Sequence, residues 1–231
     1  MTDKTKLGGL FYPTQDQFGE EIPFDSLFIP YIYQEIFLEG VYMDVTNGQK
    51  DMTIIDVGAN IGITVDYFRR FARKVFAVEP SPEHFKALAK NKEFNNWDNV
   101  ELCQVAWADK DGEMEFQQSP NNRTTNQLVM GDNHNTSWYS KNTFKVKTQS
   151  IDSFFKEHNI EKVDFMKFDP EGAEDLILRS DGFKKVAHKI KAIEVEFHHP
   201  TWMELVKYLT DMGYEARRYA SSAIIVLFTR P

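Results

Sequence analysis

The chain has 231 residues, of which 42% are hydrophobic, enough for one α/β domain with a substantial core plus a cap or insertion, but not for two full domains. Formal net charge is −8 at pH 7 and no basic block occurs, which disfavours a surface tracking the phosphates of DNA or RNA, so no nucleic-acid partner is expected. A single cysteine, Cys103, excludes an intrachain disulfide; with no apolar signal core at Met1 to Pro13 and no apolar run longer than Ala223 to Phe228, a reducing, cytoplasmic setting without membrane contact is expected.

In chain order, residues 1–50 read as an N-terminal cap segment and 51–231 as the ligand-binding domain, with a loop insertion near 117–142. Thr53, Ile54, Ile55 and Val57 make a β-branched run suited to a strand covered on both faces. Gly58 and Gly62 allow a sharp turn and close approach to a ligand. Ile63, Val65, Phe68 and Phe71, interleaved with Arg69, Arg70 and Arg73, read as an amphipathic helix with a basic end. Lys74 to Pro80 is a second strand ending at Glu79, where doubly wound folds place the carboxylate that accepts from ribose hydroxyls. The turn itself reads Gly58, Ala59, Asn60, Ile61, Gly62, with Asn60 where a dinucleotide fingerprint has its middle glycine. A ribose without a pyrophosphate therefore fits better than NAD, and S-adenosyl-L-methionine, an adenosine with an amino-acid tail, meets both conditions. Alone, the glycine pattern fits a tight structural turn equally well; Asp56 before it and Glu79 after it favour the cofactor.

Ser81 caps an expected helix over Pro82 to Asn91, with Phe85, Leu88 and Ala89 on one face. Val100 to Trp107 reads as a third strand, the Asp111-Gly112 turn as a hairpin or edge ribbon, and Gln117 to Asn142 as a long loop. Lys145 to Thr148 is a short strand and Ser150 begins a helix. Val163 to Asp169 is the next strand, after which Pro170, Glu171 and Gly172 open a helix through Leu176, Ile177 and Leu178. Lys189 to Pro200 is a strand, Thr201 to Gly213 a helix, and Tyr214 to Phe228 a closely linked, hence antiparallel, strand pair. The expected fold is α/β and Rossmann-like: a mostly parallel seven-stranded sheet, helices on both faces, and a C-terminal antiparallel hairpin.

Five segments resemble one family, the FkbM-type S-adenosylmethionine-dependent methyltransferases. They are DVGANIG at Asp56 to Gly62, AVEPSPEHFKAL at Ala77 to Leu88, VAWADKDGEMEF at Val105 to Phe116, QSIDSF at Gln149 to Phe154, and MKFDPEGAE at Met166 to Glu174, in the family's order and spacing. The resemblance covers Gln34 to Tyr219. It implies the class I methyltransferase fold, S-adenosyl-L-methionine as cofactor, and O-methylation of a hydroxyl on a sugar or small natural product. Two positions depart from the family: Pro170 follows the strand-tip acid in place of an aliphatic residue, and Trp107 replaces a small one. Trp107 either stacks on adenine or fills the core.

Ligands in open α/β sheets sit outside the carboxyl ends of the strands. Asp56 and the backbone at Gly58, Asn60 and Gly62 are expected to meet the methionine tail and its ammonium, Glu79 the ribose, and Ala106 or Trp107 the adenine. The plainer alternatives are a helix cap for Asp56 and a solvated strand end for Glu79. A hydroxyl acceptor must lose its proton, and the candidates are Asp169, Glu171, Glu196, His198 and His199. Asp169, as base or cofactor-side acid, comes first because the resemblance places an acid there, and Glu171 second; both also read as helix N-terminal carboxylates. His198 and His199 are neighbours in an extended run and point to opposite faces, so at most one joins Glu196 unless the strand ends there; a single histidine as base or hydrogen-bonding the acceptor is favoured over a divalent ion held by Asp169 and Glu196 or His198, and no metal site is assigned. His84, His134, His158 and His188 read as surface or loop residues, and Lys167 as a structural ion-pair partner. Phe24 to Tyr42 and the 117–142 loop, carrying aromatics and amides such as Tyr31, Phe37, Asn126 and Trp138, would select a small-molecule or carbohydrate acceptor, the slightly favoured alternative being that the N-terminal aromatics are only a helix packed over the sheet. The competing readings are an N- or nucleic-acid methyltransferase of the same fold, a cofactor-binding relic without activity, and an NAD enzyme. A homodimer is left open.

Overall fold

The computed structural model describes residues 6–7, 9–11, 29–117, 126–130, 143–198, 200–218 and 224–230. Two short strands, β1 (Lys6–Leu7) and β2 (Leu10–Phe11), form an antiparallel ribbon. Helix α1 (Ile29–Gln34) runs into a π-helical turn (Glu35–Glu39) and, after the left-handed Gly40, into α2 (Met43–Thr46). From there the chain alternates: β3 (Met52–Val57), α3 (Ile63–Phe68), β4 (Ala72–Val78), α4 (Pro82–Phe94), β5 (Val100–Cys103), β6 (Ala106–Ala108), β7 (Gly112–Gln117), β8 (Gln127–Leu128), β9 (Thr143–Ser150), α5 (Ile151–Glu157), β10 (Phe165–Phe168), α6 (Glu174–Leu178), α7 (Asp181–Val186), β11 (Ala192–Phe197), α8 (Trp202–Asp211), β12 (Glu215–Arg218) and β13 (Ile224–Thr229).

Seven strands make the main sheet in the order β12-β13-β11-β10-β3-β4-β5. Pairing is parallel from β11 to β5 and antiparallel where β13 lies between β11 and β12. This is the expected sheet, including its C-terminal hairpin. The β-branched run of β3 and the Phe165, Met166 and Phe168 of β10 are buried on both faces, which is why neither strand alternates apolar with polar residues. On one face Ile55, Met166 and Ile193 meet α5 and α7 through Phe154 and Phe183. On the other, Ile54, Phe165 and Ala192 meet α3 and the segment carrying Ile36 and Tyr42.

Several expectations change in detail. The third strand divides: β5 ends at Cys103, and Ala106–Ala108 instead pair with Thr148–Ser150 in a second, four-stranded sheet of order β6-β9-β7-β8. Its partner β4 stops at Val78, and Pro80 beyond it has no N–H to continue the ladder. Asp111-Gly112 closes no hairpin, because β9 lies between β6 and β7. The stretch expected to be loop from Gln117 to Asn142 contains strand β8, paired with the end of β7; residues 118–125 and 131–142 lie outside the described residues, and with them His134 and Trp138. Helix α4 buries His84, Ala87, Leu88 and Asn91, while Phe85 and Ala89 are half-buried, so the inner face sits one residue away from the expected one. Asn91 explains the rotation: its amide donates to Phe11 O at 2.9 Å and Ile61 O at 2.8 Å, tying the helix to the ribbon and the glycine turn. Among the described residues no helix is long and apolar enough to cross a membrane.

Candidate active site

Residues of equal parity on register-matched parallel strands share a face. Asp56, Lys167 and Glu194 are in register across β3, β10 and β11, and the next positions on that face are Gly58, Asp169 and Glu196. Directly below them the face is apolar, with Ile54, Phe165 and Ala192. Charge therefore begins where the strands end. A cleft of about 850 Å³ opens at these tips, between the turn at Gly58–Ile61, Glu79, Trp107, Asp169 and the overlying segment from Tyr31 to Tyr42. Ala106, Lys167, Glu171, Glu194, Glu196 and His198 also line it.

The turn after β3 is shaped by two close approaches. At Gly58, with φ +78°, a Cβ would run into the carbonyl oxygen of Asp169; at Gly62, with φ +94°, it would meet Leu88 and Trp97. Gly62 therefore faces the α4 side rather than the cleft, and its place is dictated by packing. Asn60, at φ +50°, brings its N–H to Glu79 Oε2 at 2.8 Å, while Ser81 N donates to Oε1 at 2.8 Å. Glu79 is thus a held carboxylate, not a solvated strand end. Burial pushes its carboxyl up to about 7 against the pull of those two N–H groups. His84 Nδ1 lies 3.9 Å from Glu79 Oε1 and the side chain is buried, so His84 is a wall of the site rather than a surface residue.

Asp56 does not reach the cleft. Fully buried, it accepts from Thr64 Oγ1 and lies 3.9 Å from Lys167 Nζ. Burial raises its carboxyl, with Lys167 and then Thr64 opposing. Lys167 Nζ donates to Asp169 Oδ2 at 3.0 Å. Burial disfavours the ammonium, yet Asp169 and Asp56 more than compensate and its pKa is raised. Glu194, on the other side of Lys167, is pushed up to about 8 by burial despite that cation.

The far side of the cleft is a ring of acids around one imidazole. His198 Nδ1 is 2.9 Å from Glu174 Oε1, and Nε2 faces Glu171, Asp169 and Glu196. Burial works against the imidazolium, but Glu174, Glu171 and Asp169 carry His198 up to about 10. Burial, then Asp169, drives Glu171 well above the usual carboxylate range and Glu196 to about 7. Glu171 sits at φ +52°, a left-handed conformation uncommon for a glutamate. His199 lies outside the described residues.

The structure thus brings together Gly58, Asn60, Glu79, Ala106, Trp107, Asp169, Glu171, Glu196 and His198, and sets Asp56 and Gly62 behind the wall. Sequence reasoning gave Lys167 a merely structural part and passed over Glu194 and Glu174. A charged residue inside an apolar strand was the signal for the first two, since such a residue is rarely buried without a ligand or partner.

Trp107 packs edge-on against Phe154 at 5.1 Å, and its buried Nε1 has no hydrogen-bond partner; Asp169 Oδ1 is likewise buried and without one. An indole donor and a carboxylate at separate points of the cleft, with Glu79 between glycine turn and α4, fit an adenosyl group bearing a cationic tail. A second cavity, of about 560 Å³, lies at the opposite strand ends beside Arg73, Glu101 and His158, away from this machinery.

A model of the methyltransferase FkbM domain matches residues 56–216. Among curated proteins, "Methyltransferase 1" of Beauveria bassiana is 31% identical over 172 residues, 68% of this chain and 69% of that one. "Methyltransferase sdnD" of Sordaria araneosa is 24% identical over 218 residues, 81% of this chain and 83% of the relative. Among solved structures, an rRNA methylase from Streptococcus thermophilus (8% identity, TM-score 0.50, 82% of this chain and 92% of that one) shares the fold. So does a ribosomal protein L11 methylase from Lactobacillus delbrueckii subsp. bulgaricus (13%, 0.50, 87% and 79%). The domain match spans the glycine turn, the strand-tip acids and the second sheet alike, and the chain belongs to the FkbM methyltransferase family, with S-adenosylmethionine as its methyl donor.

Proposed function

We propose that the chain methylates a hydroxyl oxygen of a sugar or small natural product. The observation that carries this reading is the group Asp169, Glu171, Glu196 and His198 gathered in the lining of the cleft. Methyltransferases acting on amino groups hold the nitrogen with an Asn or Asp, two prolines and a stacked aromatic at this strand tip; here the run is Asp169, Pro170, Glu171, Gly172. A set of carboxylates suits an acceptor that must give up a proton.

The step is an in-line displacement. The acceptor oxygen forms a bond to the methyl carbon, the carbon–sulfur bond breaks, its electron pair stays on sulfur as the neutral thioether, and the hydroxyl proton passes to a carboxylate of the cluster. Asp169 is the first candidate, because Lys167 occupies Oδ2 and leaves Oδ1 without a hydrogen-bond partner. In-line alignment and exclusion of water supply most of the rate. Glu79 takes the ribose hydroxyls, the Gly58–Asn60 backbone the amino-acid tail, and Trp107 the adenine. Asp56 acts as a positioning residue through Lys167. The described residues of the segment before residue 51 and of the insertion near 117–142 that line the cleft, from Tyr31 to Tyr42 and Asn126 and Leu128, would select the acceptor.

Methyl release to S-adenosylhomocysteine, measured over a panel of glycosides, hydroxylated small molecules, amines and oligonucleotides, tests the reading. Turnover on hydroxyl acceptors is expected. Turnover on amines or RNA alone, or cofactor binding with no turnover on any acceptor, refutes it.

A further inference from the structure

Three carboxylate oxygens converge on one imidazole nitrogen without hydrogen-bonding it. His198 Nε2 lies 3.3 Å from Glu171 Oε2 and 3.8 Å from both Asp169 Oδ1 and Glu196 Oε1. Its other nitrogen is held at 2.9 Å by Glu174 Oε1. Glu174, 1% exposed, also accepts from Gly172 N at 2.8 Å, so the acid that orients the ring is itself fixed. Lys167 engages only Oδ2 of Asp169, and Oδ1 is left buried with no hydrogen-bond partner.

We propose that Asp169 Oδ1, Glu171 Oε2 and His198 Nε2 hold a divalent metal ion, with Glu196 beside it. The ligand atoms of these three residues lie within 4.8 Å of one another. Separations distinguish a metal from an organic ammonium. Ligands bonded to one ion at about 2.1–2.3 Å stand roughly 3.0–3.8 Å apart, whereas acceptors around an ammonium, each at about 2.9 Å, stand roughly 4.6 Å apart. The values of 3.3 and 3.8 Å to Nε2 fall in the first range. Glu174 on Nδ1 is the outer carboxylate that ligating histidines carry on their second nitrogen. One imidazole among carboxylates favours Mn²⁺ or a neighbouring first-row ion over Mg²⁺ or Ca²⁺. The site needs only one histidine, His198.

The ion's role, though not its binding, rests on the hydroxyl reading above. Bound to the acceptor oxygen, it lowers the pKa of the hydroxyl; with Asp169 Oδ1 engaged by the ion, the proton passes to Glu196 in place of Asp169. Mn²⁺ titrated into the full chain with S-adenosylhomocysteine, followed by loss of the free-ion EPR signal, is expected to fill one site per chain. His198→Asn and Glu171→Gln are expected to weaken that site at least about tenfold, with S-adenosylhomocysteine affinity and thermal melts reporting that the fold persists. Should His198→Asn not fold, Glu171→Gln, on the loop before α6, decides the matter. His158→Asn and Cys103→Ser alter the other compact donor group, Glu101, Cys103 and His158, and are expected to change nothing. Failure to bind Mn²⁺ at millimolar concentration overturns the proposal, as does binding lost in His158→Asn but kept in Glu171→Gln. Hydroxyl methylation unaffected by a chelator sinks the ion and spares the O-methyl reading; a tight Mn²⁺ site without any hydroxyl acceptor does the reverse.

Discussion

Glu79→Gln separates what this carboxylate does for the cofactor from what it does to the fold. A carboxyl that ionises near 7 in the folded protein against 4.5 ordinarily destabilises the folded state by about 3 kcal/mol once both states are ionised. The folded protein holds the proton longer, so this penalty is absent below pH 4.5, grows as the pH rises to 7, and is constant above it. Glutamine never ionises, but its NH₂ confronts one of the two N–H groups, from Asn60 or Ser81, that Glu79 now satisfies. An N–H left unpaired there costs about 1–3 kcal/mol at every pH. Stability of the variant relative to wild type should therefore rise by about 2.5 kcal/mol between pH 5 and pH 8, because the other raised carboxylates titrate in both proteins and cancel. Urea unfolding of both without ligand at the two pH values measures this. Calorimetry with S-adenosylhomocysteine should show affinity falling about 10- to 100-fold, the worth of a charge-assisted bond to ribose. Parallel pH profiles together with unchanged affinity would refute both halves of the argument.

Gly58→Ala places a Cβ against the Asp169 carbonyl at a positive φ and is expected to cost at least about 2 kcal/mol, read as a lowered thermal midpoint; an unchanged midpoint means the two loops do not touch. Lys167→Met leaves Asp56 and Asp169 without their shared cation and is expected to destabilise by about 3–5 kcal/mol at pH 8. The loss should be smaller at pH 5, where carboxyls raised by burial take up protons, and denaturant midpoints at both values decide it. Trp107→Phe keeps an aromatic body against Phe154 but removes the unpartnered N–H, so it should leave the melt nearly intact while weakening S-adenosylhomocysteine binding. Equal affinity would assign Trp107 to packing alone.

Local chemistry made the outline legible. The β-branched run before Gly58, the acid closing the second strand and the short link between the last two strands each follow from neighbours in sequence, and they announced the turn, Glu79 and the terminal hairpin. Lys167 read correctly as an ion-pair partner, but its partners across β3 and the part of Glu194 escaped because a charge inside a strand acquires meaning only from the strand beside it, and the pairing of β3 with β10 joins residues more than a hundred positions apart. His84 escaped because helical spacing alone does not say which stripe turns inward; Asn91, bonded to Phe11 and Ile61, does.

Taken alone, the sequence determined the alternating order of strands and helices and the family, since both are written in contiguous segments, while the glycine turn read as a cofactor turn only with Asp56 and Glu79 on either side of it. Tertiary structure decided the rest: that Asp56 is sealed beneath Lys167, that Gly62 serves packing, and that Asp169, Glu171 and Glu196 face a single nitrogen of His198. Strand register and burial set those relations, and both are properties of distant segments brought together, which no local pattern encodes.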